Sequence, residues 1–393
     1  MSRILIVAND FPYPPHHGAA VDIWGRILSL RRLGFVLDLI ATVKGRPKRE
    51  DIDAVQEVVS RLWVVERDCG LSAALTFTPF QVRSRRALRG VALTGTYDAV
   101  LLESEHVGPI LENAHLNARI RILRSQNDEA RYFRELSKSA INWREQCFYH
   151  IEALRFDRYS PGIRAECDLL WFISDWERTL HLQKRPKDAF KAVFLPPDPG
   201  VSKMSSYSAT GREVLFIGTL AIALNVKALE WYVEQVHPSL SKLEGYSLTI
   251  AGRTGGTSIP ALNRMIERYP NISLCSDPQE LTDLYSKAAV FVNPVLRGAG
   301  LKVKTIHALR AGVPVVTTSI GMEGTGLIDG THLLVADSAD AFATSVEKLL
   351  RDKPLAAGLV RSAQSFLAEK YDQERNIKQS LSSILFAQSG KHL

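Results

Sequence analysis

The stretch Val290–Thr318, VFVNPVLRGAGLKVKTIHALRAGVPVVTT, decides the fold. It reads as a buried strand, a glycine turn, a short helix and a second buried strand, the order in which a parallel sheet is wrapped by its crossovers. In Gly298-Ala299-Gly300 the missing side chains let backbone approach a ligand closely. The free N–H groups at the start of the next helix would then point at whatever sits there, so the segment has the makings of an anion site. Lys302 and Lys304 sharpen this reading. Each falls in the first helical turn or so, where a cation opposes the helix dipole at a cost of roughly 0.3–1 kcal/mol, a conflict that a bound phosphate would remove. The same residues also allow a plainer reading, in which the lysines point into water and the glycines serve a tight turn.

Outward from this stretch, short β-branched runs alternate with helical periods in two rounds. The first opens with Ile4-Leu5-Ile6-Val7-Ala8 and a proline- and glycine-rich loop, Phe11–Gly18. A helix follows whose Ala20, Ile23, Trp24, Ile27 and Leu28 make an apolar stripe, and Gly34 ends it. Strands are expected at Val36–Ala41, Ala99–Leu102, Ile120–Leu123, Leu169–Ile173 and Val193–Leu195, with a long charged helical stretch between Asp128 and Glu166. PPDPGVSKMSSYSATG, Pro196–Gly211, has no apolar period and reads as a linker. The second round runs through strands at Val214–Ile217, Ser247–Ala251, Ile272–Cys275, Val290–Asn293 and Pro314–Thr317, with a helix around Val226–Val236. It ends in helices at Ala339–Leu350, Ala356–Lys370 and Gln373–Phe386.

The 393 residues, 46% hydrophobic and 23% charged, suffice for two cores. The early apolar run Ile4–Ala8 is far shorter than a signal peptide's, and no stretch approaches a membrane span, so a cytoplasmic location is expected. Cys69, Cys147, Cys167 and Cys275 lack metal-type spacing and read as reduced, mostly packed thiols. A net charge of +7 favours acidic partners such as nucleotides or anionic lipid. The basic residues are spread over both halves without a recognition motif, which argues against nucleic acid.

With the glycine turns falling at strand ends, the chain resembles the retaining nucleotide-sugar glycosyltransferases of the GT-B fold, family 4. The resemblance is carried by the opening strand and its proline–glycine loop, FIGTLAIALNVKALEWYV, LTIAGR, PQELTDLYSKAAVFVNP and GAGLKVKTIHALRAGVPVV, in that order. It implies an α/β architecture of two Rossmann-like domains facing a central cleft. Residues 1–200 would be the acceptor-side domain and 201–372 the nucleotide-sugar donor domain, with 373–393 a helix packing back on the first. The activity implied is transfer of a sugar, with retained configuration, from a UDP- or GDP-sugar to a glycan or lipid-linked acceptor in cell-surface polysaccharide or glycolipid synthesis. Neither a metal nor a further cofactor is implied, and Asp51-Ile52-Asp53 reads as a solvated helix start.

Donor contacts would come from Gly18, Gly218, Thr219, Arg253, Ser276, Gly298, Ala299, Gly300, Lys302, Lys304 and His307. Arg253 and Lys302 or Lys304 would steady the charge on the departing diphosphate. His106, in LLESEHVGPIL, falls near the family's sugar-contacting histidine, with Glu103 and Glu105 competing for that position; His106 and Lys302 are the catalytic candidates. On the acceptor side His17, Glu105 and Asn127 are candidates, although Asn127 equally suits a turn. Many family members carry two glutamates around the glycine turn; here Arg297-Gly298 stands near the first and His307 at the second, a variant branch with a GAG-x-K motif. A neutral imidazole at His307 can accept a ribose hydroxyl bond more weakly than a carboxylate, or can be a helix-surface residue.

From Leu71 to Arg89, apolar residues alternate with four arginines. The segment reads either as a peripheral contact at the inner membrane face or as a buried helix pair with a basic outer side. Two rival functions remain at this stage: a nucleotide-sugar epimerase of the same architecture and a non-catalytic nucleotide-sugar-binding protein.

Overall fold

Alternation of β-branched runs with amphipathic helices builds two separate parallel sheets. The computed structural model describes residues 2–385 apart from 16–17, 69, 71–75, 141, 198–203, 255–259, 279 and 299. The chain divides into one unit of Met1–Asp198 with Tyr371–Leu393, and a second of Pro199–Lys370.

In the first unit, β1 (Arg3–Ala8) is central, which is why its last five residues are all buried and apolar. It leads through α1 (Gly18–Arg32) to β2 (Val36–Val43), α2 (Arg49–Gln56) and β3 (Arg61–Glu66) on one side. Then β4 (Tyr97–Leu102), β5 (Ala118–Ser125), β6 (Leu169–Phe172) and β7 (Ala192–Phe194) extend the other. The order is β3-β2-β1-β4-β5-β6-β7, all parallel. Between strands lie α3 (Phe80–Arg83), a 3-10 segment Glu105–Glu112, α4 (Glu129–Ser139), α5 (Trp143–Glu166) and α6 (Asp175–Lys184). Asp128, Asn142 and Ser174 cap the last three, each side chain accepting a hydrogen bond from a first-turn N–H.

The second unit has the order β10-β9-β8-β11-β12-β13. Its strands are β8 (Arg212–Ile217), β9 (Tyr246–Gly252), β10 (Ile272–Ser276), β11 (Val290–Asn293), β12 (Val315–Thr317) and β13 (Leu334–Val335). Its helices are α7 (Ala223–Trp231), α8 (His237–Leu240), α9 (Pro260–Arg268), α10 (Thr282–Lys287), α11 (Val303–Arg310), α12 (Ser319–Met322), α13 (Ala339–Arg351) and α14 (Lys353–Lys370). The chain then returns to the first unit as α15 (Gln373–Leu385), whose Ile377 and Leu381 join the core beside α1.

Two strands escaped the sequence reading. β3 has only partly buried residues and a charged end, and β13 is two residues long, so neither presents a clear apolar run. The stretch Asp128–Glu166 is two helices, because Ala140 leaves the helical region at the end of α4. Asp51 and Asp53 lie within α2. Cys167 is buried, but Cys147 is exposed on α5, against the expectation of packed thiols; Cys69 lies outside the described residues.

Candidate functional site

In each sheet the strand order reverses once, between β1 and β4 and between β8 and β11. Loops diverge at such a switch point and leave a crevice at the carboxyl ends of the strands. In the second unit that crevice is bordered by Gly218-Thr219 after β8 and by the residues after Asn293, the end of β11.

The backbone there requires glycine. Gly298 and Gly300 adopt φ of +131° and +78°, a region costly for any residue with a Cβ. Ala299 between them lies outside the described residues. At the end of β9, a Cβ on Gly252 would stand 1.7 Å from the Gly218 carbonyl oxygen, so the two strand ends approach closely only because Gly252 has none. Leu220 N–H donates to the Arg253 carbonyl (2.8 Å), tying the same two turns together and leaving the Arg253 side chain exposed. Ser276, at the end of β10, is also exposed.

The lysines do not point into water. Lys302 occupies the cap position of α11, and its ammonium turns back to donate to the Gly300 carbonyl at 2.6 Å. Lys304, in the first turn, lies 4.7 Å over the Phe216 ring and 3.4 Å from Asn225 Oδ1. Burial, and then the neighbouring Lys302 charge, push the Lys304 ammonium down from 10.5 to about 7. Two N–H groups expected to be free have local acceptors: Val303 donates to the Leu301 carbonyl and Thr305 to that of Lys302. Cation side chains, more than an open helix end, therefore make this corner attractive to an anion.

His307, one turn on, is not a surface residue. Its Nε2 is buried without a hydrogen-bond partner, and burial followed by the Arg310 charge lowers the ring to about 4, so the imidazole is neutral at physiological pH. Sequence reasoning passed over Asn225 and Asn293. Asn225 donates to the Thr219 carbonyl at 2.9 Å while its Oδ1 faces Lys304, so it links the turn after β8 to the lysine. Asn293 is fully buried and donates to Thr305 Oγ1 at 2.9 Å, while its Oδ1 has no partner. The available signal was an asparagine closing an apolar run in each case, inside motifs already singled out.

The first unit's crevice is braced by charge. Arg26 of α1 is fully buried and bonds both Asp22 (2.7 Å) and Glu103 (2.6 Å), and Arg124 of β5 bonds Asp22 and the Leu195 carbonyl. Glu103 thereby has a structural partner. So does Glu105, whose carboxylate takes hydrogen bonds from Ser160 and from Arg164 (2.8 Å) and is 2% exposed. This pairing gives Glu105 a structural role in the first unit. His106 is half-buried, with Nε2 3.4 Å from Glu129 and the ring against Phe156. Gly18 opens α1 and is exposed, Asn127 is half-buried just before the cap of α4, and His17 lies outside the described residues.

In the segment Leu71–Arg89, residues 71–75 lie outside the described residues. Of the rest, Val82, Leu88 and Arg85 are buried, Arg85 bonding Thr42 and the Asn9 carbonyl, while Arg86 and Arg89 pair with Asp68 and Glu112. Of the expected lipid-facing side chains, Val82, Leu88 and Arg85 are thus committed to the fold, while Phe77 is 85% exposed. Among the described residues no group of three or more His, Cys, Asp or Glu is placed to hold a metal ion, and no helix is long and apolar enough to cross a membrane.

Known proteins share the fold. Residues 211–352 match the family model "Glycosyl transferases group 1". The chain is 33% identical over 387 residues to an uncharacterized 44.6 kDa protein in the cps region of Klebsiella pneumoniae, covering 95% of this chain and 98% of that one. Among solved structures it is similar to sucrose-phosphate synthase from Thermosynechococcus elongatus (14% identity, TM-score 0.70, 99% of this chain and 100% of that one). It is likewise similar to the pneumococcal O-GlcNAc transferase GtfA in complex with UDP and GlcNAc (13%, 0.67, 97% and 98%). Anabaena HepE in complex with UDP-glucose is a third such structure (12%, 0.63, 98% and 99%). At these identities the likeness is one of fold: two Rossmann-like domains of the GT-B type.

Proposed function

We propose that the chain is a group 1 glycosyl transferase, the family whose model matches residues 211–352, that it moves a sugar from a nucleotide-sugar donor, and that its second unit holds the donor diphosphate at the turn from Gly298 to Lys304. The observation that carries this is Lys304: its ammonium lies 4.7 Å over the Phe216 ring in a desolvated corner beside a second lysine, a position that an arriving anion would stabilise. Lys302, Lys304 and Arg253 offset the charge that gathers on the leaving diphosphate, the electrostatic part of the catalysis. Gly218, Thr219 and Ser276 line the donor, and the neutral His307 accepts a hydrogen bond from the nucleoside side.

The first unit, with the returning helix, receives the acceptor. His106 contacts the transferred sugar through Nδ1, since Nε2 faces Glu129; Gly18 and Asn127 are further candidates, as is His17, which lies outside the described residues. Glu103 and Glu105 are each paired with an arginine, which removes two candidate nucleophiles and supports attack by the acceptor hydroxyl on the leaving-group face. The configuration is then retained, with the departing diphosphate as the base. Similar structures in complex with UDP and UDP-glucose favour a UDP-sugar, and the cps region of the Klebsiella relative favours a glycan or lipid-linked acceptor in cell-surface polysaccharide synthesis.

A thermal-shift panel of UDP- and GDP-sugars tests the reading. One nucleotide sugar should raise the melting temperature by mass action, and the shift should vanish in a Lys302→Ala/Lys304→Met double variant. A shift undiminished in that variant refutes the site. Transfer to an acceptor, against epimerised or unreacted donor, separates this reading from an epimerase or a binding protein.

A further inference from the structure

Helix α5 is apolar on both sides. Its inner face packs Ala153, Phe156 and Ile163 into the first unit, where Phe156 stacks on Phe133. Its outer face should be polar, yet Trp143 is 69% exposed, Leu154 55% and Ile151 46%, with exposed Cys147 between them. Positions 143, 147, 151, 154 and 158 follow the spacing that keeps residues on one side of a helix. They form a line roughly 22 Å long at 1.5 Å per residue. Phe148 (44% exposed) and Phe77 (85%) widen it. Phe148 also meets the Phe80 ring at 6.4 Å, but Trp143, Ile151, Leu154 and Phe77 stand largely outside the core, and exposed patches of this kind mark a contact.

The charges choose the occupant. Arg144 lies over the Trp143 ring (5.6 Å) and Arg158 over the Phe77 ring (5.8 Å), so a guanidinium sits beside an exposed aromatic at each end of the line. No carboxylate lies on the line between them; Asp157 borders it but pairs with Arg134, and Glu152 pairs with Arg155 on the buried side. A second copy of the chain fits badly: an antiparallel, two-fold pairing of this helix would set Arg144 against the like charge of Arg158. A shallow apolar strip with an aromatic end and flanking arginines is the chemistry of a helix lying in the headgroup region of an anionic bilayer. We propose that α5, together with Phe77, is the surface by which this enzyme docks on anionic lipid. The inference deepens the reading of a lipid-linked acceptor and rests on it for its use, because docking would hold the first unit where such an acceptor is presented.

Sedimentation of the full chain with phosphatidylcholine vesicles, with and without phosphatidylglycerol, tests it. The chain should bind the anionic vesicles, less so as salt rises. A Trp143→Gln/Ile151→Gln/Leu154→Gln variant, which keeps good helix formers on the surface, should partition at least tenfold more weakly. Arg144→Glu/Arg158→Glu should lose more than the roughly fivefold expected per neutralised charge. Both variants should melt like the parent and bind UDP-glucose unchanged. Equal sedimentation of parent and variants, or no sedimentation of any, overturns the proposal, as does a dimer that the apolar variant dissociates without any vesicle binding. If vesicle binding follows the expected pattern while no nucleotide sugar binds, the surface stands and the donor reading falls.

Discussion

Lys304 should take up a proton when the donor binds. With its ammonium lowered to about 7 in the empty site, the side chain is about one-tenth neutral at pH 6, half at pH 7 and nine-tenths at pH 8. A diphosphate a few ångströms away restores the charged form and moves the group back towards its ordinary 10.5. Those neutral fractions are then the protons absorbed per donor bound, and above pH 7 affinity should fall by up to tenfold for each further pH unit. UDP-glucose is the suitable ligand, because its diphosphate diester does not titrate in this range. His307 does not interfere, being already neutral there. Calorimetric titration at pH 6, 7 and 8, in buffers of differing ionisation enthalpy, reads the uptake directly, and Lys304→Met should abolish it. In the empty protein the sign is the opposite of a bound cation's. Folded Lys304 holds fewer protons than the unfolded chain between about 7 and 10.5, so stability rises with pH through that window. Lys304→Met should therefore stabilise the empty enzyme at pH 7, on the order of 3 kcal/mol after allowing for partial solvent contact of the side chain. Uptake of no proton at pH 8, or the same uptake in Lys304→Met, would refute the reasoning.

Gly252→Ala places a methyl group 1.7 Å from the Gly218 carbonyl oxygen. It should cost at least ~1–3 kcal/mol in urea unfolding and remove the donor-induced thermal shift; a neutral substitution would show that the turns are not so closely packed. Arg26→Met strips the buried Asp22 and Glu103 of a shared partner, for an expected loss of ~3–5 kcal/mol, and a loss under about 1 kcal/mol would disprove the brace. Burial pushes the Glu177 carboxyl up from 4.5 to about 7. The folded chain thus holds this proton to higher pH, and the stability it contributes is complete below about 4.5 and lost as pH rises through about 7. Glu177→Gln should match the parent near pH 4 and exceed it above pH 7 by up to ~3 kcal/mol; parallel pH profiles of unfolding free energy would contradict this.

The central strands were legible in the sequence because both faces of a parallel sheet are covered, which writes runs such as Ile4–Ala8 and Val290–Asn293 as unbroken apolar segments. Edge strands such as β3 carry no such mark. The gathering of Gly298, Gly300, Lys302 and Lys304 at one turn was legible because their spacing is local. What was not legible depends on pairings far apart in the chain. Nothing near Glu105 announces Ser160 and Arg164, and nothing near Arg85 announces Asn9 and Thr42, so residues that look available in sequence are spent in the fold. The outer face of α5 was hidden for a different reason: apolar residues on two sides of a helix cancel the periodicity that would reveal either.

The return of α15 to the first unit has a consequence for synthesis. Ile377 and Leu381 complete a core begun by Ile4 and Ile6, and Arg32 pairs with Glu374 at 2.5 Å. On the ribosome the amino-terminal half must therefore wait, with part of its interior open, while the whole second unit is made and folds by itself. An arrested nascent chain ending before residue 373 should expose that interior to chaperones and proteases, and release of the last helix from the exit tunnel should be the event that closes it.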